Sequence, residues 1–500
     1  MTVLEQNLAV ITARFSHIAE ILRKTPVSTI YQGITVAKTG LPVPVFITGQ
    51  ALHSLYDPAR EADRALPTES GFMLFCGLGS GVQITTFLQK YPQSVCAVTE
   101  SDYPALKQLL TLIDYTGIFS DNRVSLLPPC ADPSFVAALT ECYLPALHGT
   151  FGCYTLRAWS SYFKETVAHL SCRIEAGLEK IKADFSVQAH FGKIWVRNIF
   201  FNLQLASSII PQYPHIDTAR IAVILGAGPS LDSCLTRLEQ QRQQYTLFCT
   251  DTALPVLLAH GITPEFFIAL DPQPISYLHT CGAIPHTITG IFDLSAQKTV
   301  SQRFHQNGNP LFFTAGNHPL IQTAAAFSPF PQLHTVSGTV AVAAYHAAQS
   351  LGYRRIECIG MDFAYTGGQA YSRGTYLSAL YTNTASRVMP QEDSFVRLMF
   401  RTPVYCEQLN GRYTYKSSLL DSYRAAFEAE KKLFSLWKPA VFQQFPYKQF
   451  IKALQQCITT QDRAVLVGFF PFLAWYTVHR NTNFDGMELV SEVISEYTKR

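Results

Sequence analysis

The residues best suited to chemistry stand where apolar runs give way to small or acidic residues. In IAVILGAGPSLDSCLTRL the run Ile221–Leu225 meets Gly226, Ala227, Gly228, Pro229 and Ser230, and then Leu231, Leu235 and Leu238 recur at helical spacing. A buried strand therefore turns tightly into a helix. Glycines let the backbone approach a ligand, and the free amides at a helix start favour an anion. Thr246–Thr250 reads as a second strand, ending at Asp251 and Thr252, and Phe266–Leu270 as a third, ending at Asp271. Further on, Ser337, Gly338 and Thr339 open an alanine-rich helix, and the strand Ile356–Gly360 is followed by Asp362. Residues just past strand ends lie where open α/β sheets collect ligands. Together these positions form a candidate nucleotide-type site. A tight turn without a ligand uses glycines too, but the repeated strand-end signals favour the site.

Two more groups join this list. Tyr365 and Tyr371 follow Asp362 on a glycine-bearing loop, where phenol hydroxyls can donate to a phosphate, although packing is the commoner use of such rings. His318, on the turn Ala315–Pro319, is the best-placed upstream histidine, ahead of His334 and His346, although a structural role is the commoner reading for each of the three. Nearer the N-terminus, Gly71–Cys76 leads into Gly77, Gly79 and Gly81, and the next strand ends at Glu100. An acidic residue about 20 positions after a glycine turn is where a ribose hydroxyl is held. This second candidate site would suit a nucleotide or S-adenosylmethionine. No catalytic motif follows it, so a scaffold that keeps only the shape is an equal reading.

The elements that position these residues are those of an α/β protein with two Rossmann-like domains, a helical bridge and a helical C-terminal region. The expected divisions are an N-terminal helix and small β region (1–65), a first Rossmann-like domain (66–130), the bridge (131–215), a central Rossmann-like domain with the site (216–385) and the C-terminal region (386–500). Bridge aromatics such as Trp159 and Trp195 read as core, and Arg197 and Asn198 as caps or interface residues. A net charge of +3 with scattered basic residues argues against nucleic acid. The 12 cysteines form no CxxC or zinc-type spacing, which suggests reduced thiols, a cytoplasmic location and no metal centre. Ala464–Val478 is strongly apolar, yet it is shorter than the ~20 residues of a membrane span and contains Pro471. It reads as a buried helix.

The segments GAGPSLD, DTALPVLLAHGITPEFFIALDP and VSGTVAVAAYHAAQSLGYRRIECIGMDFAY resemble the motility accessory factor family, whose central domain is shared with archaeal 6-hydroxymethylpterin pyrophosphokinases. LHSLYDPAREA and FCGLGSG resemble its N-terminal part, so the likeness runs from about Leu52 to Tyr376. The resemblance implies transfer of a nonulosonic acid from a CMP-sugar donor to flagellin or a similar protein acceptor. The central domain is more distantly similar to bacterial CMP-sialic acid sialyltransferases. That similarity implies nucleotide contacts at Gly226–Ser230, donor contacts at Ser337 and Gly338, and help to the departing phosphate from Tyr365 and Tyr371. Those enzymes place a histidine after the tyrosines, whereas Ser372–Lys438 contains none. Glu392, Asp393 and Glu407 are then unranked candidate bases. The alternatives are diphosphate transfer from ATP, with Mg2+ on the strand-end aspartates, and a non-catalytic flagellar assembly or binding factor.

Overall fold

The computed structural model describes residues 1–67, 71–333, 339–409, 412–431, 435–480 and 484–498. The chain forms two compact units, Met1–His190 with Leu473–Asn481, and Phe191–Phe472 with Thr482–Arg500.

In the first unit β1 (Tyr31–Val36) and β2 (Pro42–Phe46) form an antiparallel pair. Four further strands form a parallel sheet: β3 (Phe72–Cys76), β4 (Val95–Thr99), β5 (Val124–Leu126) and β6 (Phe151–Thr155), in the order β5-β4-β3-β6. Every residue of β3 is buried, as expected of a parallel strand covered on both faces. β6 falls inside the stretch read as a helical bridge. Its sequence, FGCYT, is short and only half-buried, because it is the sheet's edge. The continuous helix is Lys164–Ala206, which contributes to each unit.

The second unit is built on six parallel strands: β7 (Ile221–Leu225), β8 (Tyr245–Thr250), β9 (Phe266–Ala269), β10 (Thr289–Asp293), β11 (Leu311–Thr314) and β12 (Ile356–Ile359). Their order is β11-β10-β9-β8-β7-β12. The chain lays down β7 to β11 in one direction and returns to place β12 on the other side of β7. Such a reversal marks the place on the carboxyl edge where sheets of this kind collect ligands. Helix Val340–Ser350 crosses β7, β8 and β9, with Ala343, Ala344, Ala347 and Ala348 buried against them. Small side chains there let the helix lie close to the sheet.

A small antiparallel sheet of β13 (Tyr365–Thr366), β14 (Tyr405–Leu409) and β15 (Arg412–Lys416), ordered β13-β15-β14, follows the main sheet. It lies largely in the region expected to be helical. Alternation in RYTYK is the strand signal that the charged helices around it obscured. In Ala464–Val478, Val465, Leu466, Phe469 and Phe472 are buried. Among the described residues no helix is long and apolar enough to cross a membrane.

Candidate functional site

The loops after β7 and β12 are joined backbone to backbone. The Gly226 amide donates to the Ile359 carbonyl (2.9 Å) and the Gly228 amide to that of Gly360 (2.8 Å). A Cβ on Gly228 would fall 2.0 Å from Asp362 Oδ2, and one on Gly360 would fall 2.1 Å from the Gly226 carbonyl oxygen. Glycine is therefore required by the approach itself. The Ser230 hydroxyl donates to Asp362 Oδ2 (3.0 Å) and accepts from the Gly360 amide (3.2 Å), while the Ser230 amide lies 3.3 Å from the same carboxylate oxygen. The anion-favouring turn thus already faces an anion of its own chain. Burial pushes the Asp362 carboxyl up, and the Ser230 bonds oppose it. Phe363 follows with φ +47°, an unusual value for a bulky residue, and its ring packs against Phe427.

The tyrosine loop is tied down to the same turn. The Ser372 amide donates to the Ala227 carbonyl (2.8 Å), and Asp232 accepts from the Ser372 hydroxyl and from the Arg373 amide (3.1 Å). The crevice opens into a cleft of about 680 Å³ whose lining includes Ser230, Asp232, His260, Asp362, Gln369 and Arg373. Asp232 and Arg373 were not singled out from the sequence. Their signal was the aspartate inside GAGPSLD and the arginine inside YSRGTY.

Asp251 is buried and accepts from the Thr252 amide (2.7 Å) and hydroxyl (3.1 Å). Burial pushes its carboxyl up to about 6, with the nearby Asp271 adding to the shift. Asp271 accepts from the Gln273 amide at 2.8 Å. Tyr371 packs in a small core with Ala370, Phe395 and Met399, and its phenol is raised by burial first and then by Tyr365, with Asp251 contributing. Tyr365 pairs with Tyr415 across β13 and β15. Asp293, another residue the sequence reading passed over, ends β10. Its carboxyl is pushed up to about 6 by burial, against the donors of Ser295.

Other expected residues are placed elsewhere. Ser337, Gly338 and His334 lie outside the described residues, and Thr339 is extended at the start of helix Val340–Ser350 without a side-chain cap. His318 lies at the end of β11, four strands from β7, roughly 19 Å at the usual strand spacing. Its Nδ1 accepts the Leu320 amide (3.2 Å), capping helix Pro319–Phe327, and burial depresses it to about 3. Asp393 pairs with Arg397 (3.0 Å) and Glu407 with Lys416 (2.5 Å). Among the described residues no three His, Cys, Asp or Glu side chains are grouped to hold a metal ion.

In the first unit, Gly77, Gly79 and Gly81 take φ of +90°, +53° and +77°, the left-handed turn expected of them. The space above them is filled by the chain itself. Cβ atoms there would lie 2.8 Å from Trp159, 2.3 Å from His53 and 2.3 Å from Ile118, respectively. Glu100 is buried and accepts from the amides of Leu78 (3.0 Å) and Ser101 (2.9 Å) and from the Trp159 indole. The position expected to hold a ribose hydroxyl is held by an indole.

The second unit is thus a doubly wound, Rossmann-like α/β domain with its switch point between β7 and β12. Residues 194–368 match the family described as 6-hydroxymethylpterin diphosphokinase MptE-like. An uncharacterized protein of Treponema pallidum (strain Nichols) is 38% identical over 258 residues, 51% of this chain and 92% of that one. A second from the same strain is 40% identical over 175 residues, 35% of this chain and 83% of that one. The chain belongs to the MptE-like family. Its fold is shared with a MAf glycosyltransferase from Magnetospirillum magneticum AMB-1, at a TM-score of 0.50 and 15% identity over 99% of this chain and 90% of that one.

Proposed function

We propose that this chain is a glycosyltransferase that moves a nonulosonic acid from a CMP-linked donor to serine or threonine hydroxyls of flagellin or a similar protein. The reading rests chiefly on the crevice between β7 and β12, where the Gly226–Ser230 turn and Asp362 meet under a loop carrying tyrosines. In this reading the turn holds the nucleotide phosphate, displacing Asp362 from the Ser230 amide. Asp251 and Asp271 orient ribose or sugar. Tyr365 and Tyr371 donate to the phosphate as charge develops on it, which is where fixed donors lower a barrier most. The shared fold with a MAf glycosyltransferase supports the same reading.

The description of the matching family supports a second reading, diphosphate transfer from ATP to a hydroxymethylpterin with Mg2+ neutralising the phosphates. A thermal-shift series with CMP, ATP plus Mg2+ and S-adenosylmethionine separates the two. A ligand at 100 times its Kd stabilises the native state by about 2.7 kcal/mol. CMP is expected to raise the Tm, and Ser230→Ala and Tyr371→Phe to weaken that rise. A rise with ATP and Mg2+ alone would favour the diphosphokinase. No rise with any nucleotide would leave a non-catalytic binding factor.

A further inference from the structure

The carboxyl edge of β8 and β9 carries a group that the preceding reading does not use. After β9 the chain forms a 3-10 segment, Pro274–Thr280, which packs on the turn Asp251–Ala253 and on helices Leu254–Ala259 and Lys298–Gln306. His279 sits near its end with 9% of its surface exposed. Its Nδ1 is buried with no hydrogen-bond partner. The ring meets that of Tyr376 edge to face at 5.4 Å, where Tyr376 opens the helix Tyr376–Thr384 just after the tyrosine loop. An imidazole enclosed in this way is costly unless something completes its hydrogen bonding. Asp271 lies close enough for its charge to oppose the effect of burial, which otherwise lowers the imidazole's basicity.

Two other described histidines lie toward this edge. His318 caps a helix through Nδ1 and has a buried, unpartnered Nε2, but it stands four strands from β7, whereas His260, whose Nδ1 is bonded to the Val256 carbonyl at 2.9 Å, is exposed at the cleft lining. The segment that carries His279 follows β9 and packs on the turn that begins at Asp251. It is therefore on the same edge as Asp251 and Asp271.

We propose that His279 is the base that takes the proton from the acceptor hydroxyl, with Asp271 as its positioning residue. The proposal rests on the glycosyltransferase reading above. The acceptor oxygen gives its proton to the imidazole, and its electron pair forms the new bond to the anomeric carbon. The bond from that carbon to the donor phosphate oxygen breaks, and its electron pair leaves on CMP. The Asp271 charge stabilises the imidazolium. The other charged or titratable groups on elements packed against the segment are Asp251, His260, Lys298, Arg303, His305 and Tyr376. Arg303 is held by the Tyr277 hydroxyl at 3.2 Å and by the carbonyls of Cys281 and Gly282.

The test uses the full chain, a CMP-linked nonulosonate and a protein acceptor, with CMP release as the readout. His279→Asn is expected to lower kcat by about 100-fold or more, with the donor KM within about three-fold and the CMP-induced thermal shift retained. Added imidazole is expected to restore part of the rate to His279→Gly, which a structural role would not allow. Asp271→Asn should move the acid limb of the kcat profile to lower pH, because removing the carboxylate makes the imidazole less basic. A His279→Asn rate within about three-fold of the natural protein, or no imidazole rescue of a folded His279→Gly, overturns the assignment while leaving the transferase reading intact. No CMP release by the natural protein from any such donor overturns both.

Discussion

Asp251 is where burial can be separated from function by pH. Its folded-state value near 6 lies above the about 3.9 of an unfolded aspartate. Between those values the native state holds more protons than the unfolded one, so stability falls as pH rises through the window and stays reduced above it. Asp251→Asn should therefore raise stability at pH 7.5 by up to about 3 kcal/mol and change little at pH 4. Urea unfolding at the two pH values measures this. An equal effect at both would mean that the carboxyl is not held out of water. At Glu100 the expectation runs the other way. Trp159→Phe removes a donor from a buried carboxylate and should cost about 1–3 kcal/mol, read as a lower urea midpoint. It should not by itself create affinity for S-adenosylmethionine, because His53 and Ile118 still crowd the glycines. The glycines and Glu100 could be picked out from their spacing. Trp159, 59 positions beyond Glu100, could not, because nothing local marks which aromatic will fill a loop.

At the scale of elements, strand ends carry the site and a single helix secures them. Asn202 of helix Lys164–Ala206 donates to the carbonyls of Leu294 (3.0 Å) and Ala296 (2.9 Å) and accepts from Ser301 (2.7 Å). Asn198 does the same for the carbonyls of Pro272 (3.0 Å) and Ser295 (3.1 Å). Two amides thus fix the loops that follow Asp271 and Asp293. Asn202→Ala leaves several buried groups unpaired and should cost about 2–4 kcal/mol, measurable by urea unfolding, with ligand affinity falling alongside. Gly360→Ala should be at least as damaging, since its φ of +70° and the approach of the Gly226 carbonyl both exclude a Cβ. The parallel strands were legible because buried runs ending in glycine or aspartate repeat through Ile221–Asp362. β6 and the β13–β15 sheet were not. A five-residue edge strand is short and half-buried, and β13 joins the local pair β14–β15 only across 48 to 50 residues. Asn198 was read as a cap or interface residue, but which loops it and Asn202 meet was equally hidden. An asparagine in a helix looks alike whether it meets water or a loop 74 or more residues away.

At the scale of the whole chain, neither unit is a simple half of the sequence. The first is completed by Leu473–Asn481, so the fragment 1–190 produced alone lacks a segment that belongs to it. It should unfold at lower urea than the same unit in the full chain, as followed by the fluorescence of the buried Trp159. A fragment as stable as the full chain would show that the returning segment adds nothing. The order of synthesis gives this arrangement a further consequence. Domains usually fold as units while the ribosome works at about 5–20 residues per second, so the first unit waits roughly 15–60 s for Leu473–Asn481 to be made. During that time its nascent surface is exposed to chaperones, and a strain limited in them should accumulate this protein as aggregates rather than as a half-folded soluble form.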